Sequence, residues 1–323
     1  MTHAIRIHET GGPEVLRWEE IAVGAPGPGE VRLRQSAVGV NFIDTYHRTG
    51  LYKLPLPSGL GVEAAGVVAA VGPGVDDLRV GDRVAYVLGA PGAYAEERVV
   101  AAARTVPLPS DIDDRAAAGI TLRGLTAWYL LRRTYEVKPG DPVLIHAAAG
   151  GVGLIACEWA HHLGATVIGT VSSDEKAALA RAHGCDHVVV TGREDFVARV
   201  RAVTGGAMLP VVYDSVGRDT FHRSLECLRP RGLMVSYGNA SGPVRDVDLS
   251  ELARGSLFLT RPTLGDYVAT RGELHAAAAE LFDLVRRGVI SVAVNQSYPL
   301  RDAAQAHRDL EGRKTTGSTI LIP

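Results

Sequence analysis

PVLIHAAAGGVGLIACEWAHHLG, residues 142–164, runs from an unbroken apolar segment through a glycine loop into an alanine-rich segment. An apolar run of strand length that ends in glycines and is followed by a helix-forming stretch predicts strand, tight turn and helix in that order. The same order repeats downstream: ATVIGTVSS, then DEKAALARAHG, then HVVV. Strands that alternate with helices call for a parallel sheet covered on its faces by helices. PVVYDSVG (210–217), RGLMVSYG (231–238) and GSLFLTR (255–261) are further strand candidates, so residues 125–260 are expected to form one doubly wound α/β domain.

Upstream the texture differs. VRLRQSAVGV, GVEAAGVVAAVG and DRVAYVLG are short β-prone runs separated by GAPGPGE, GPGVDD and GAPGA, which predicts a β-rich unit over residues 1–124. Val31, Leu33 and Gln35 alternate with Arg32, Arg34 and Ser36, the pattern of a strand wetted on one face. DDRAAAGITLRGLTAWYLLRRTYEV reads as one helix that continues until Lys138-Pro139-Gly140 stops it. Residues 261–323 hold two modest helices and one short strand, STILIP, too little for a core of their own. They are expected to return to the N-terminal unit.

The 323 residues exclude a miniature disulfide scaffold, and 34 Lys plus Arg against 36 Asp plus Glu, without a basic run, argue against nucleic acid as a partner. Cys157, Cys185 and Cys227 are few and widely spaced, which fits a reducing compartment. No apolar run reaches the length of a membrane span. A soluble cytoplasmic protein is the simplest expectation.

The loop AAAGGVG (147–153) sits where a dinucleotide fingerprint must sit, between strand and helix. Gly150 would let backbone approach a pyrophosphate, Gly151 and Val152 would open the helix, and Gly153 would let helix and strand pack closely. The first fingerprint position holds Ala148 instead of glycine. At the end of the next strand, TVSSDEK offers Ser172, Ser173 and Lys176, hydroxyls and a cation suited to the 2'-phosphate of NADPH. Asp174 and Glu175 pull the other way, and Ser173 also suits a helix N-cap.

NFIDTYHRTGLY (41–52) and GLGVEAAG (59–66) raise the question of a metal. Zinc needs converging Cys, His or carboxylate ligands. The second segment offers only Glu63, and no cysteine precedes Cys157, so no metal site is expected. His47, next to Arg48, is expected to be exposed or hydrogen-bonded, and Asp44 to serve a local backbone or ion-pair contact.

GGPEVL (11–16), NFIDTYHRTGLY, LPSGLGVEAAG, HAAAGGVG, VVYDSVGRDTFHRSL, RGLMVSYGN and GSLFLTRPTL follow one another in the order of a known family. The chain resembles the zinc-independent, zeta-crystallin-like quinone oxidoreductases of the medium-chain dehydrogenase/reductase superfamily. The resemblance implies a GroES-like catalytic domain (1–124), a Rossmann cofactor-binding domain (125–260) and a C-terminal return (261–323). It implies reduction of quinones by NADPH without metal, in a cleft between the domains. Asn41 would bind the cofactor at its nicotinamide end, and Asn41, Tyr46 and Tyr52 would form the catalytic cleft; Tyr129, Gly238, Asn239 and Arg313 would line the cofactor path. Thr191 followed by Gly192 stands where relatives carry a tyrosine over the adenine. The resemblance also implies a homodimer paired through the 255–264 strand. Two other readings fit the same residues: reduction of an enone or alkenal double bond, and a crystallin-like structural protein that binds NADPH.

Overall fold

In the computed structural model, which describes residues 2–323, the chain begins with β1 (Thr2–Ile7) and β2 (Arg17–Ile21), followed by β3 (Glu30–Val40) and α1 (Phe42–Arg48). Then come β4 (Ser58–Gly59), β5 (Glu63–Val71), β6 (Arg83–Val87), β7 (Glu97–Ala101), β8 (Thr105–Pro107) and α2 (Asp114–Tyr129). The strand–helix alternation follows as β9 (Pro142–Ile145), α3 (Gly151–His162), β10 (Thr166–Val171), α4 (Asp174–Ala182), β11 (His187–Val190) and α5 (Phe196–Val203). It continues through β12 (Leu209–Asp214), α6 (Phe221–Glu226), β13 (Leu228–Ser236), α7 (Ser250–Ala253), β14 (Phe258–Thr260) and α8 (Leu264–Tyr267). The tail adds α9 (Arg271–Arg286), β15 (Val294–Pro299), α10 (Ala303–Glu311) and β16 (Ser318–Ile322).

Two compact units result. The first holds the chain up to Arg123 with Val268–Arg286 and Val292–Pro323; the second holds Gly124–Tyr267 with Arg287–Ser291. Residues 261–267 and 287–291 therefore pack with the second unit, although the sequence assigned them to the tail. Their contacts say why: Tyr267 stacks on Tyr129 with ring centroids 4.7 Å apart, and the Ser291 N–H donates to Glu158 at 3.0 Å.

The first unit is built on a seven-stranded sheet ordered β15-β16-β3-β5-β6-β8, with β7 also on β3, and a smaller sheet β2-β1-β4. The alternation along β3 is realised, since Val31, Leu33 and Gln35 are buried and their neighbours are not. Gln35 is tolerated because its amide is satisfied: Nε2 donates to the Ala93 carbonyl at 2.9 Å and Oε1 accepts from the Tyr86 hydroxyl at 2.6 Å. β16 pairs with β3 through Thr319–Val40 and Leu321–Val38, which joins the tail to the N-terminal sheet. Leu300, Ala306 and Leu321 enter the same core as Val31, Leu33 and Tyr94.

In the second unit β11-β10-β9-β12-β13-β14 form one sheet whose pairs are all parallel. Counted from β9 this is the order 3-2-1-4-5-6 of a doubly wound dinucleotide-binding fold, whose ligand crevice lies outside the carboxyl ends of the strands. The long helix expected up to Lys138 is shorter. α2 ends at Tyr129 and gives way to a π-turn over Leu130–Thr134, closed by the Tyr135 N–H on the Leu130 carbonyl at 3.3 Å. Arg133 there lies over the Trp128 ring at 5.2 Å, a cation–π contact that holds the widened turn against the helix. Among the described residues no helix is long and apolar enough to cross a membrane.

Candidate functional site

β9 reaches α3 through a loop whose strain falls on one residue. Ala147 has φ of 53°, in the left-handed region that costs a non-glycine residue about 1–2 kcal/mol. Ala148, at the first fingerprint position, donates its N–H to the Thr170 carbonyl at 3.0 Å. A Cβ on Gly169 of β10 would come within 2.7 Å of the Ala148 methyl carbon. Gly169 thus vacates the room that a loop glycine would otherwise leave. A Cβ on Gly153 would overlap the Ala147 carbonyl oxygen and lie 2.8 Å from the Ala148 carbonyl carbon, so close approach of helix and loop requires glycine there. Gly150 differs, because a Cβ at that position meets only the Ala147 carbonyl, at 3.2 Å. Its bareness leaves open space before the N–H groups of Gly151, Val152 and Gly153, which open α3 without intrahelical partners.

Beneath this loop lies a polar cluster that sequence reasoning missed. His146, fully buried, contacts Thr170 Oγ1 and Ser224 Oγ at 2.9 Å each. Asp214 accepts from the Val216 and Gly217 N–H groups at 2.8 and 3.0 Å and from the Thr220 hydroxyl at 2.7 Å. Burial holds the imidazole pKa below its ordinary value, so His146 bridges as a neutral ring. The cluster ties β9, β10, β12 and α6 together at the carboxyl edge. Its signal was a histidine and an aspartate, each ending an otherwise apolar strand.

The structure gathers Gly150, Gly151, Val152, Gly153, Ser172, Ser173, Lys176, Thr191, Gly238 and Asn239 along that edge, because each follows the C-terminus of a parallel strand. Ser173 is the N-cap of α4 and accepts from the Lys176 N–H at 3.3 Å. Thr191 donates its N–H and hydroxyl to the Val171 carbonyl at 3.0 and 3.2 Å. A Cβ on Gly238 would lie 2.8 Å from Ser215 Cα, so the loops after β12 and β13 touch. The Asn239 amide is oriented with its carbonyl accepting from Arg261 Nη2 at 2.9 Å, while Arg261 Nη1 donates to the Ser236 carbonyl at 2.7 Å. Arg261, another residue the sequence did not single out, therefore shapes the Gly238-Asn239 turn. Tyr129 is buried against Tyr267 in the same unit.

Asn41, Tyr46, Tyr52 and Arg313 belong to the first unit. Arg313 is exposed in the turn after α10, at φ of 58°. Asn41 precedes α1, and its N–H donates to the Asp44 carboxylate at 2.8 Å. Its side-chain Nδ2 donates to Glu63 Oε2 at 3.0 Å. Glu63 also accepts the Leu122 N–H and lies 3.6 Å from Arg123 Nη1. Burial raises the Glu63 pKa and lowers that of Arg123, and each charge opposes the shift of the other. This buried pair fixes the orientation of the Asn41 amide. Tyr46 and Tyr52 meet edge to face with ring centroids 5.3 Å apart, locked by the Tyr52 N–H on the Tyr46 carbonyl at 3.0 Å.

His47 corrects an expectation. It is buried rather than exposed, its Nδ1 has no hydrogen-bond partner among the described residues, and burial lowers its pKa. It packs as a neutral ring near Tyr52, because nearly all of the short α1 is enclosed. Asp44 does hold a local backbone contact, and it also starts a buried chain. The Tyr94 hydroxyl donates to Asp44 at 2.9 Å and lies 3.0 Å from His307 Nε2, while His307 Nδ1 lies 3.0 Å from Arg48 Nη1. Arg48 then forks onto Glu311 at 2.9 and 2.7 Å. Since arginine can only donate, His307 Nδ1 accepts and Nε2 carries the proton given to Tyr94. Burial pushes Asp44 up to about 7, and burial followed by the Arg48 charge pushes His307 down to about 3.

The chain matches two family models, "Alcohol dehydrogenase GroES-like domain" over residues 27–110 and "Zinc-binding dehydrogenase" over 151–283. It is 54% identical to the quinone oxidoreductase of Pseudomonas aeruginosa, with both chains covered in full. It belongs to the quinone oxidoreductase family. A 2-haloacrylate reductase of a Burkholderia species is 52% identical, with 100% of this chain and 99% of that one covered. The crystal structure of Escherichia coli quinone oxidoreductase complexed with NADPH superposes with a TM-score of 0.98 at 52% identity, covering both chains in full. The GroES-like match falls in the first unit, and the other covers the Rossmann-like second unit from α3 to Tyr267 and runs on into α9 of the first. The zinc that the second description implies has no donor set on this member of the family. Asn41 and Val62 offer neither sulfur nor imidazole, and Glu63 is engaged by Asn41, Leu122 and Arg123. Among the described residues no three His, Cys, Asp or Glu side chains are grouped to hold a metal.

Proposed function

We propose that this protein reduces quinones and related electron-poor conjugated carbonyl compounds with NADPH, without a metal. The observation that carries the reading is the glycine loop at the carboxyl edge of the second unit. Gly150 lacks a side chain although the protein has nearly enough room for one, which fits a pyrophosphate lying against the opening turn of α3. Ser172 and Lys176 follow the next strand, where the adenine ribose of a dinucleotide belongs, and suit a 2'-phosphate. Similarity to a structure complexed with NADPH supports the same cofactor.

Bound NADPH supplies the hydride. The chain's own task is to bind, orient and shield. In this reading the Glu63–Asn41 bond holds the Asn41 amide in one orientation for the cofactor. The edge-to-face rings of Tyr46 and Tyr52 give a flat acceptor an aromatic wall, and their hydroxyls can donate to oxygen as it gains charge. A quinone becomes aromatic on reduction and needs little polarisation beyond such hydrogen bonds. Tyr129, Gly238, Asn239 and Arg313 are assigned to the cofactor path on the family resemblance.

The haloacrylate-reducing relative favours a second substrate class, an activated carbon–carbon double bond. Chelator-treated protein is expected to oxidise NADPH with simple para-quinones at least about tenfold faster than with 2-haloacrylates or enones at equal concentration, a difference of about 1.4 kcal/mol in barrier. The reverse ranking would transfer the assignment to the alkene class. Turnover with neither would leave a structural NADPH-binding protein.

We further infer a homodimer formed through β14. This strand ends the sheet, and Phe258 and Leu259 are 59% and 37% exposed, an apolar edge that a second copy would cover. Light scattering should give a dimer mass for the wild type and a monomer mass for Phe258→Lys/Leu259→Lys. An unchanged mass in the variant would remove β14 from the interface.

A further inference from the structure

The sequence left the adenine end of the cofactor site uncovered, with Thr191 and Gly192 where relatives carry an aromatic ring. The structure supplies another group there. β10 and β11 are parallel neighbours with Val171 opposite Val190, so the segments that follow them leave the sheet side by side. Thr191 is turned back onto the Val171 carbonyl, and a Cβ on Gly192 would have nothing within 4 Å. Arg193, whose N–H closes on the Val190 carbonyl at 3.0 Å, is thereby brought beside the first turn of α4. Its guanidinium forks onto Asp174, Nη1 to Oδ2 at 2.7 Å and Nη2 to Oδ1.

That contact changes the meaning of Asp174. A carboxylate after the second strand of such a fold accepts hydrogen bonds from the unmodified adenine ribose and repels a 2'-phosphate. Here both carboxylate oxygens are engaged by one guanidinium, so the group that would favour NADH is neutralised. The Arg193 side chain is 58% exposed, and its guanidinium keeps N–H groups beyond the two used on Asp174 and can fork onto a phosphate as well as onto a carboxylate. We propose that Arg193 is a specificity-determining residue for NADPH, which cancels Asp174 and, with Lys176, receives the 2'-phosphate.

The inference rests on the NADPH reading above, and the measurements separate the two. Calorimetric binding of 2',5'-ADP and of 5'-ADP is compared, together with steady-state rates with NADPH and NADH, for the wild type, Arg193→Ala and Arg193→Lys. Arg193→Ala is expected to weaken 2',5'-ADP at least about tenfold and leave 5'-ADP within about threefold, since one charge-assisted contact to phosphate is lost. KM for NADPH should rise accordingly, with kcat nearly unchanged, and Arg193→Lys should recover part of the loss. The exposed position should leave the thermal midpoint of Arg193→Ala unchanged. A wild type that prefers 2',5'-ADP and NADPH, with a variant that keeps the same preference, would reduce Arg193 to an ordinary surface ion pair. A wild type with no preference would overturn the NADPH reading itself, and this assignment with it.

Discussion

Gly153→Val is expected to weaken NADPH binding at least about 100-fold. Even a Cβ at this position overlaps the Ala147 carbonyl oxygen and lies 2.8 Å from the Ala148 carbonyl carbon, and backbone on a buried strand–helix junction cannot give way locally. The opening turn of α3 must move, and its N–H groups lose their aim at the pyrophosphate. Charge-assisted hydrogen bonds contribute about 1.5–3 kcal/mol each, so losing two accounts for a factor of 100 or more. The same clash destabilises the unit, so Gly153→Val alone would not separate a cofactor loop from a tight structural turn. Gly150→Val does. There the protein offers a Cβ only one close neighbour, at 3.2 Å, and the backbone has φ of −82°, which any residue adopts. Its expected signature is a thermal midpoint near that of the wild type with NADPH fluorescence titration shifted at least about tenfold, because the side chain would occupy the phosphate's place. Wild-type affinity in Gly150→Val would mean that the pyrophosphate lies elsewhere.

What the sequence disclosed follows the range of the interactions involved. The alternation of apolar strands with alanine-rich helices is a local pattern, and it correctly announced the six-stranded parallel sheet and its glycine loop. The return of the tail was readable from its lack of a core. Details set by distant partners were hidden. Arg48 entered the sequence reading only as the neighbour of His47, yet it is enclosed because Glu311 and His307 arrive more than 250 positions later to pair with it. Ala148 looked like a departure from the fingerprint, and the compensation by Gly169 lies on another strand. Thr191-Gly192 looked like a loss of adenine cover because Arg193 gains its meaning only from Asp174, nineteen residues earlier. Asn41 was singled out by resemblance alone, whereas the contacts that orient its amide, through the Glu63–Arg123 pair, required the structure.

That pair carries the other large effect. Arg123→Met is expected to destabilise the first unit by about 3–5 kcal/mol, because it leaves the Glu63 carboxylate buried without its countercharge. Glu63→Gln strands the guanidinium instead, although Arg123 retains the Gly119 and Val40 carbonyls as acceptors and should lose less. The double variant is expected to recover a large part of the deficit, since burying two neutral groups avoids the desolvation of both ions. Recovery stays incomplete because methionine cannot donate to those two carbonyls, although Gly119 keeps the Ser318 hydroxyl at 2.6 Å. Urea unfolding of the four proteins measures the coupling directly. Additive losses would show that the ion pair contributes no specific interaction. Activity reports on a different part of the same contact. A glutamine at 63 has one accepting oxygen where the carboxylate has two, so it cannot accept from both the Asn41 amide and the Leu122 N–H with separate oxygens. The Asn41 side chain is then free to rotate. KM for NADPH should therefore rise in Glu63→Gln and remain raised in the double variant, where stability has largely returned.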